Sequence, residues 1–109
     1  MLIDLLNNDI SQDEYLTNNN ARIIYKKLPK KIYGFVNNYK NINVIVINWN
    51  ISREKKEKTI IHECAHLELN HLQRKKELLA FSIDGIEDEA DRYVDFLLKN
   101  VKGENNENK

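Results

Sequence analysis

The chain has 109 residues, 41% apolar and 31% charged, with 17 basic and 17 acidic side chains. This composition predicts one small soluble domain, and its net charge of zero provides no overall attraction for nucleic acid or an anionic membrane. The longest aliphatic run, at residues 44–47, is far shorter than the roughly 20 residues that span a bilayer. A single cysteine and the lack of a basic segment at residues 1–4 predict a cytoplasmic protein without a secretory signal.

The first half of the chain predicts one helix followed by short strands. Apolar residues recur at helical spacing over residues 1–10. Short apolar stretches predict strands at residues 23–25, 32–36 and 43–49, and the last of these is rich in β-branched side chains. We expect the strand that ends near Asn48 to pair with an extended substrate along its edge.

The last two predicted strands are expected to form an antiparallel hairpin, because a short asparagine-rich segment separates them. Asn37 and Asn38, together with Asn41, predict the turn. Gly34 lies inside the preceding strand, where a glycine indicates a bulge or a close approach of another backbone.

The second half of the chain predicts two helices. Ser52 is a candidate N-cap for a helix over residues 53–71, whose apolar side chains recur at helical spacing. Asp84, with Glu87 three residues later, is a candidate N-cap for a last helix over residues 86–99.

These elements predict a single α+β domain over residues 1–102, with a small antiparallel sheet of two to three strands packed on the two later helices. Residues 73–83 have a mixed pattern that predicts no element. Residues 103–109 lack apolar side chains and are expected to form a flexible tail. No internal repeat and no second domain is indicated.

The segment His62-Glu63-Cys64-Ala65-His66 fits the pattern H-E-x-x-H and lies inside the predicted helix. Histidines at positions i and i+4 project from one helix face, so both imidazoles can reach one metal ion. Glu63 lies about 100° around the helix from His62, where it can reach water at the metal and act as a general base. The alternative is a helix with surface histidines and an incidental glutamate.

A third ligand is expected from the acidic segment 87–91. On the predicted last helix, Glu87 and Asp91 share a face, and the small Ala90 allows the two helices to approach closely. We expect Glu87 to ligate the metal and Asp91 to accept a hydrogen bond from a ligand histidine. Glu89 is the second choice, and an acidic first helical turn without any metal role is the alternative.

Two further residues are interpreted as structural. Cys64 lies about 200° around the helix from His62 and is expected in the core. His71 lies about 140° from His66 and is expected at the surface near the helix end.

Four segments together resemble the ImmA/IrrE-type metallopeptidase family, whose pattern is a glycine-containing strand, an aliphatic strand ending in Asn, an H-E-x-x-H helix and E-x-x-A-[ND]. The resemblance covers about residues 23–98. The segments are Lys31-Ile32-Tyr33-Gly34-Phe35, Val44-Ile45-Val46-Ile47-Asn48, Lys58-Thr59-Ile60-Ile61-His62-Glu63-Cys64-Ala65-His66 and Glu87-Asp88-Glu89-Ala90-Asp91-Arg92-Tyr93.

The resemblance implies a zincin-like fold and a zinc-dependent endopeptidase. It implies that His62, His66 and Glu87 bind zinc, that Glu63 is the catalytic glutamate and that Asp91 is the supporting acid. Members of the family resemble regulators of mobile elements and stress responses that act on a helix-turn-helix repressor, so the expected partner is such a repressor, with no direct binding of nucleic acid or membrane.

Two alternatives to the peptidase stay open at this point. The first is a non-catalytic zinc-binding module that sequesters a repressor or another partner, and the second is a metal-free helical interaction protein. For the peptidase, the candidate donors to a developing oxyanion are Tyr33, His71, Arg92 and Tyr93.

Overall fold

The computed structural model describes residues 1–72 and 78–101, so the predicted tail at 103–109 lies outside the described residues. Within that part of the chain, four helices and four strands are arranged in an α+β fold, as the sequence predicts. In chain order they are α1 (Leu2–Leu6), α2 (Gln12–Asn18), β1 (Ala21–Lys26), β2 (Ile32–Tyr39), β3 (Ile42–Asn48), α3 (Arg53–Leu72), β4 (Leu79–Ile83) and α4 (Glu89–Leu98).

The N-terminal segment forms two short helices instead of the single predicted helix. Asn8 interrupts the first with a φ of 62°, a left-handed conformation that asparagine tolerates better than most residues. Ser11 then starts α2, because its side chain accepts a hydrogen bond from the Glu14 backbone N–H and Glu14 reaches back to the Ser11 N–H.

The predicted hairpin is confirmed, since β2 and β3 pair antiparallel. Its turn consists of Lys40 and Asn41, with φ of 49° and 68°. Two consecutive left-handed residues match the right-handed twist of the flanking strands. Asn37 and Asn38 therefore belong to β2, and the predicted position of the turn is wrong in this respect.

The sheet has four strands in the order β1-β3-β2-β4, and β1 pairs parallel with β3. The prediction of two to three antiparallel strands is therefore wrong in strand number and in the direction of one pair. Because β1 lies on the far side of β3 from β2, the connection between β1 and β2 crosses the end of β3. The buried amide of Asn48 fastens this crossing, with Nδ2 at 2.9–3.3 Å from the carbonyl oxygens of Leu28, Pro29 and Ile32.

Both edges of β3 are paired, so the expectation that a substrate pairs along the strand ending near Asn48 is wrong. The edge strands are β1 and β4. No element is predicted for β4 because its five residues have no period that distinguishes a strand from a helix. In the structure β4 pairs antiparallel with β2, and the rings of Phe35 and Phe81 lie 5.3 Å apart.

Gly34 combines the two features predicted for it. The register between β2 and β4 shifts between Ile32 and Gly34. A Cβ atom at Gly34 would lie 2.6 Å from the Val46 carbonyl oxygen and 2.9 Å from Cγ2 of Thr59. Only glycine therefore allows β2 to pass this close to α3, the helix that carries the histidines.

Helix α3 follows the prediction closely, and Ser52 caps it by accepting a hydrogen bond from the Lys55 N–H at 3.1 Å. The helix packs on β2, β3 and β4. No helix in residues 1–72 and 78–101 has the length and apolar character required to cross a lipid bilayer. The buried apolar residues are Leu2, Tyr15, Val36, Ile45, Val46, Ile47, Ile60, Cys64, Ala65, Leu67, Ala90 and Leu97.

A group of polar contacts on α3, which we name the Glu68 cluster (Leu2, Glu68 and Tyr93), attaches the N-terminal helix α1 to α3. The Leu2 backbone N–H donates to Glu68 Oε1 at 2.6 Å, and the Tyr93 hydroxyl donates to Glu68 Oε2. Glu68 therefore joins α1, α3 and α4. The Tyr15 hydroxyl, which donates to the Cys64 carbonyl at 3.3 Å, attaches α2 to the same helix.

Candidate metal centre

The two histidines of the H-E-x-x-H segment face the start of α4, as their spacing predicts. His62 is buried and His66 half-buried, and their ring centroids lie 4.8 Å apart. One helical turn separates them along α3, so their Nε2 atoms point to a common region.

Helix α4 begins five residues after the predicted cap. Its N-cap is Asp88, whose side chain accepts hydrogen bonds from the N–H groups of Ala90 and Asp91. The prediction that Asp84 caps the helix is wrong, because Gly85 turns the chain with a φ of 79° before the helix can start. Residues 86 and 87 thus precede the helix.

Asp88 lies against both imidazoles. Its Oδ1 is 2.9 Å from Nε2 of His62, and its Oδ2 is 3.0 Å from Nε2 of His66. One possible ligand atom from each of these residues lies within 4.8 Å of the others. The carboxylate that the structure places with the histidines is therefore that of Asp88.

Glu87 is exposed and lines the neighbouring cleft instead. It is not part of the group formed by the two histidines within the described residues. The argument that Glu87 and Asp91 share a helix face fails, because Glu87 precedes α4. Metal binding by Glu87 stays a prediction of the resemblance, and Glu89, the second choice, is exposed on α4.

The predicted hydrogen bond from a ligand histidine to Asp91 stays a prediction, and in the structure Asp91 supports the turn that holds Asp88. Its Oδ2 accepts a hydrogen bond from the Asp88 backbone N–H at 2.9 Å, and its Oδ1 lies 3.6 Å from Nε2 of His62. Asp88 and Asp91 form a reciprocal capping box, so the start of α4 holds both carboxylates near the histidines.

Ser82 of β4 lies behind His62 and connects it to Glu63. The Ser82 hydroxyl donates to Oε2 of Glu63, and its oxygen contacts Nδ1 of His62. Since that hydroxyl proton is used on Glu63, Nδ1 of His62 is the donor to Ser82. Nε2 then donates to Asp88 when the imidazole is protonated, and it is the nitrogen at which a cation would replace that proton.

Glu63 is fully buried beside this contact. Its Oε1 has no hydrogen-bond partner among residues 1–72 and 78–101. A buried carboxylate oxygen without a donor is rare, since it loses its hydration without replacement, and such groups are found where a ligand or a reaction completes the site.

The electrostatics of the group favour a positive charge. Burial lowers the pKa of His62, but the carboxylates of Glu63 and Asp88 raise it more, to about 9. Burial raises the pKa of Asp88, whereas the hydrogen bond from His62 lowers it to about 2. The surroundings thus favour positive charge between the imidazole and the carboxylate.

The donor set fits a divalent metal ion. Two imidazole nitrogens and a carboxylate oxygen suit zinc and other first-row divalent ions. Ligand atoms around a tetrahedral zinc ion lie roughly 3.3 Å apart, and one possible ligand atom from each of the three residues lies within 4.8 Å of the others.

A cleft of about 670 Å³ adjoins this group, a volume typical of ligand sites. Its polar end is formed by His62, Ser82, Glu87 and Asp91, whereas Glu63 does not line it. The cleft therefore gives a substrate direct access to His62 and access to Glu63 through Ser82.

Both residues interpreted as structural are placed as predicted. Cys64 is fully buried, and burial raises the pKa of its thiol to about 12, so the thiolate nucleophile is not formed at neutral pH. His71 is exposed near the end of α3.

Sequence patterns miss Ser82 and Asp88. Ser82 has no neighbouring motif, and only the pairing of β4 brings it to His62. Asp88 stands within the acidic segment that the sequence singles out, but its position as N-cap depends on the turn at Gly85.

Residues 17–98 match a peptidase family described as the IrrE N-terminal-like domain. The match includes every residue of the metal group and the whole sheet, whereas α1 lies outside it. No curated protein and no solved structure matches the chain.

Proposed function

The chain belongs to the peptidase family of IrrE N-terminal-like domains, and from this premise we propose that it is a cytoplasmic zinc endopeptidase that cleaves a helix-turn-helix repressor. The family supports a metal-dependent peptidase function. The observation that carries the proposal is the group of His62, His66 and Asp88, in which His62 also lines a cleft.

The ion is held by the two histidines and one carboxylate of the Glu87–Asp88 pair. Contact with both imidazoles supports Asp88, and the resemblance supports Glu87. When bound, a divalent ion supplies a Lewis acid that polarises the scissile carbonyl and lowers the pKa of water.

Glu63 is the proton acceptor in this proposal. Its Oε1 has no hydrogen-bond donor among the described residues, so this oxygen is open to a further donor. Ser82 provides a path for that proton, since its hydroxyl lines the cleft and donates to Glu63. When Ser82 accepts a proton from water in the cleft, it passes its own to Glu63, and the reverse transfer protonates the leaving amine.

Of the candidate donors to a developing oxyanion, Tyr33 is the one that lines the cleft. Its hydroxyl donates to Asp84 at 2.9 Å, so it would have to leave Asp84 to stabilise an oxyanion. The Tyr93 hydroxyl is used by Glu68, and His71 and Arg92 are not among the residues that line the cleft.

The test is incubation of the zinc-loaded protein with a helix-turn-helix repressor bound to its DNA, followed by mass spectrometry of the protein and a gel-shift measurement of the DNA. We expect two fragments from a single cut. The Glu63→Gln variant should bind zinc equally well and give no fragments, because the amide cannot accept the proton. Undiminished cleavage by this variant would exclude Glu63 as the base.

A non-catalytic zinc-binding module is the second candidate, and the burial of Glu63 away from the cleft lining favours it. In that case zinc shapes the surface that binds the repressor. The same incubation separates the two functions: release of the repressor from its DNA without fragments, equally by wild type and Glu63→Gln, supports the module.

A further inference from the structure

We propose that Leu6, Val94 and Leu98 form a subsite for one aliphatic side chain of the substrate, next to the bond that is cut. We name it the aliphatic subsite, and the inference rests on the proposed function because it assumes an open metal site at the polar end of the cleft.

The cleft is polar near His62 and becomes apolar further away from it. One face of α4 lines it with residues 91, 94, 95 and 98, which recur at helical spacing. Asp91 lies at the end that contacts His62, and Leu98 lies two turns further along the helix. The same helix face thus leads from the metal group into an apolar region.

Apolar side chains from other elements complete that region. They come from α1, from α3 and from the segment around β4, so no single amphipathic helix accounts for them. Two of them stay uncovered, since Ile86 is 63% exposed and Ile83 40%. Exposed apolar surface inside a groove indicates a binding site. The contributing residues are Leu6, Ile61, Ile83 and Ile86.

The charges at the cleft do not favour a charged side chain. Lys55 and Lys58 line it together with Glu87, Asp91 and Asp95, so both signs are present. Because the apolar region is continuous with the cavity that His62 lines, the occupant that fits is an aliphatic side chain of the same polypeptide whose backbone reaches the metal group.

The wall formed by Leu6 comes from helix α1, which lies outside residues 17–98, the part of the chain that matches the family. The Glu68 cluster fixes its position, because Glu68 binds the Leu2 N–H and the Tyr93 hydroxyl on the helix that carries Val94. Leu6 is thereby held at the cleft as a specificity-determining residue.

The experiment compares two hydroxamates on zinc-loaded protein by isothermal titration calorimetry. Acetohydroxamate binds a metal without reaching the subsite, and its isobutyl-extended analogue carries an aliphatic arm. We expect the analogue to bind at least about tenfold more tightly, since each buried methylene contributes roughly a fourfold gain.

Leu6→Ala should reduce this ratio about threefold or more. Leu79→Ala is the matched control, because Leu79 is 64% exposed on β4 and is not among the residues that line the cleft. Circular dichroism of both variants checks that the fold is retained.

The outcomes separate the subsite from the proposed function. If acetohydroxamate binds but the analogue binds no better, the aliphatic subsite is wrong and the metal site stands. If neither compound binds protein whose zinc content is verified, the open metal site fails. An equal loss in Leu6→Ala and Leu79→Ala would overturn the role of Leu6.

Discussion

Helix α3 carries two buried glutamates that lie five residues apart and differ in their surroundings. Glu68 has a donor on each oxygen, namely the Leu2 N–H and the Tyr93 hydroxyl. Glu63 has the Ser82 hydroxyl on one oxygen, and within the described residues its other oxygen has no partner. Within the described residues, the hydrogen bonding of the Glu68 carboxylate is therefore complete, whereas that of the Glu63 carboxylate is not.

The difference separates a structural role from a chemical one. A fully paired buried carboxylate stabilises the elements that pair with it, whereas a half-paired one keeps capacity for a ligand or a proton. Burial and the Glu68 carboxylate raise the pKa of Tyr93, so its hydroxyl remains a donor across the physiological range. We therefore expect changes at Glu68 to affect stability and changes around Glu63 to affect metal binding and chemistry.

The largest effect is expected for Asp88→Asn, which keeps a good N-cap but weakens the ligand. Since loss of a supporting hydrogen bond alone lowers metal affinity about 10–100-fold, loss of a charged ligand should lower zinc affinity on the order of 100-fold or more. Chelator competition measures the affinity.

Glu87→Gln is the matched control for that variant. The zinc affinity of the Glu87→Gln variant should change by less than about threefold, because Glu87 is exposed and lies outside the metal group in the structure. A larger loss in Glu87→Gln than in Asp88→Asn would show that the ligand implied by the resemblance is the correct one.

Glu68→Ala should lower the free energy of unfolding by about 2–3 kcal/mol, since it leaves the Leu2 N–H and the Tyr93 hydroxyl without their charged acceptor. Urea denaturation measures this, and zinc affinity should stay within about threefold of wild type. Glu57→Ala, an exposed position on the same helix, should change stability by less than about 0.5 kcal/mol. Equal effects of the two substitutions would contradict the structural role of Glu68.

The smallest effect is expected for Ser82→Ala, which removes the acceptor for His62 Nδ1 and the donor to Glu63. We expect roughly tenfold weaker zinc binding, because Ser82 orients a ligand without being one. Ser11→Ala, which removes the N-cap of α2, should lower stability without weakening zinc binding. If both variants weaken zinc binding alike, Ser82 acts only through global stability.

Local patterns predict the elements whose residues carry a strong period. The helix that contains His62 and His66 is predicted to within one residue at its end, because apolar side chains recur at helical spacing from Ile60 to Leu72. Gly34 is predicted correctly because a glycine inside a strand indicates a place where a side chain would not fit. By contrast, β4 has five residues and no clear period, so only its pairing with β2 defines it.

Local patterns likewise predict one part of the candidate site and not the other. The spacing of the two histidines places both on one face of α3, and this does not depend on the rest of the fold. The acidic segment is identified as well, but the choice between its carboxylates depends on the residue at which α4 begins. That residue is set by the left-handed turn at Gly85 and by the Asp88 cap.

The amino-acid sequence predicts the histidine helix, the hairpin, the glycine contact and the resemblance to a metallopeptidase family, because each is encoded in residues close along the chain. The folded structure is needed to show that Asp88 contacts both imidazoles, that Ser82 joins His62 to Glu63 and that Leu6 borders the cleft. These contacts join residues at least 19 positions apart, and no local pattern specifies where separate elements meet.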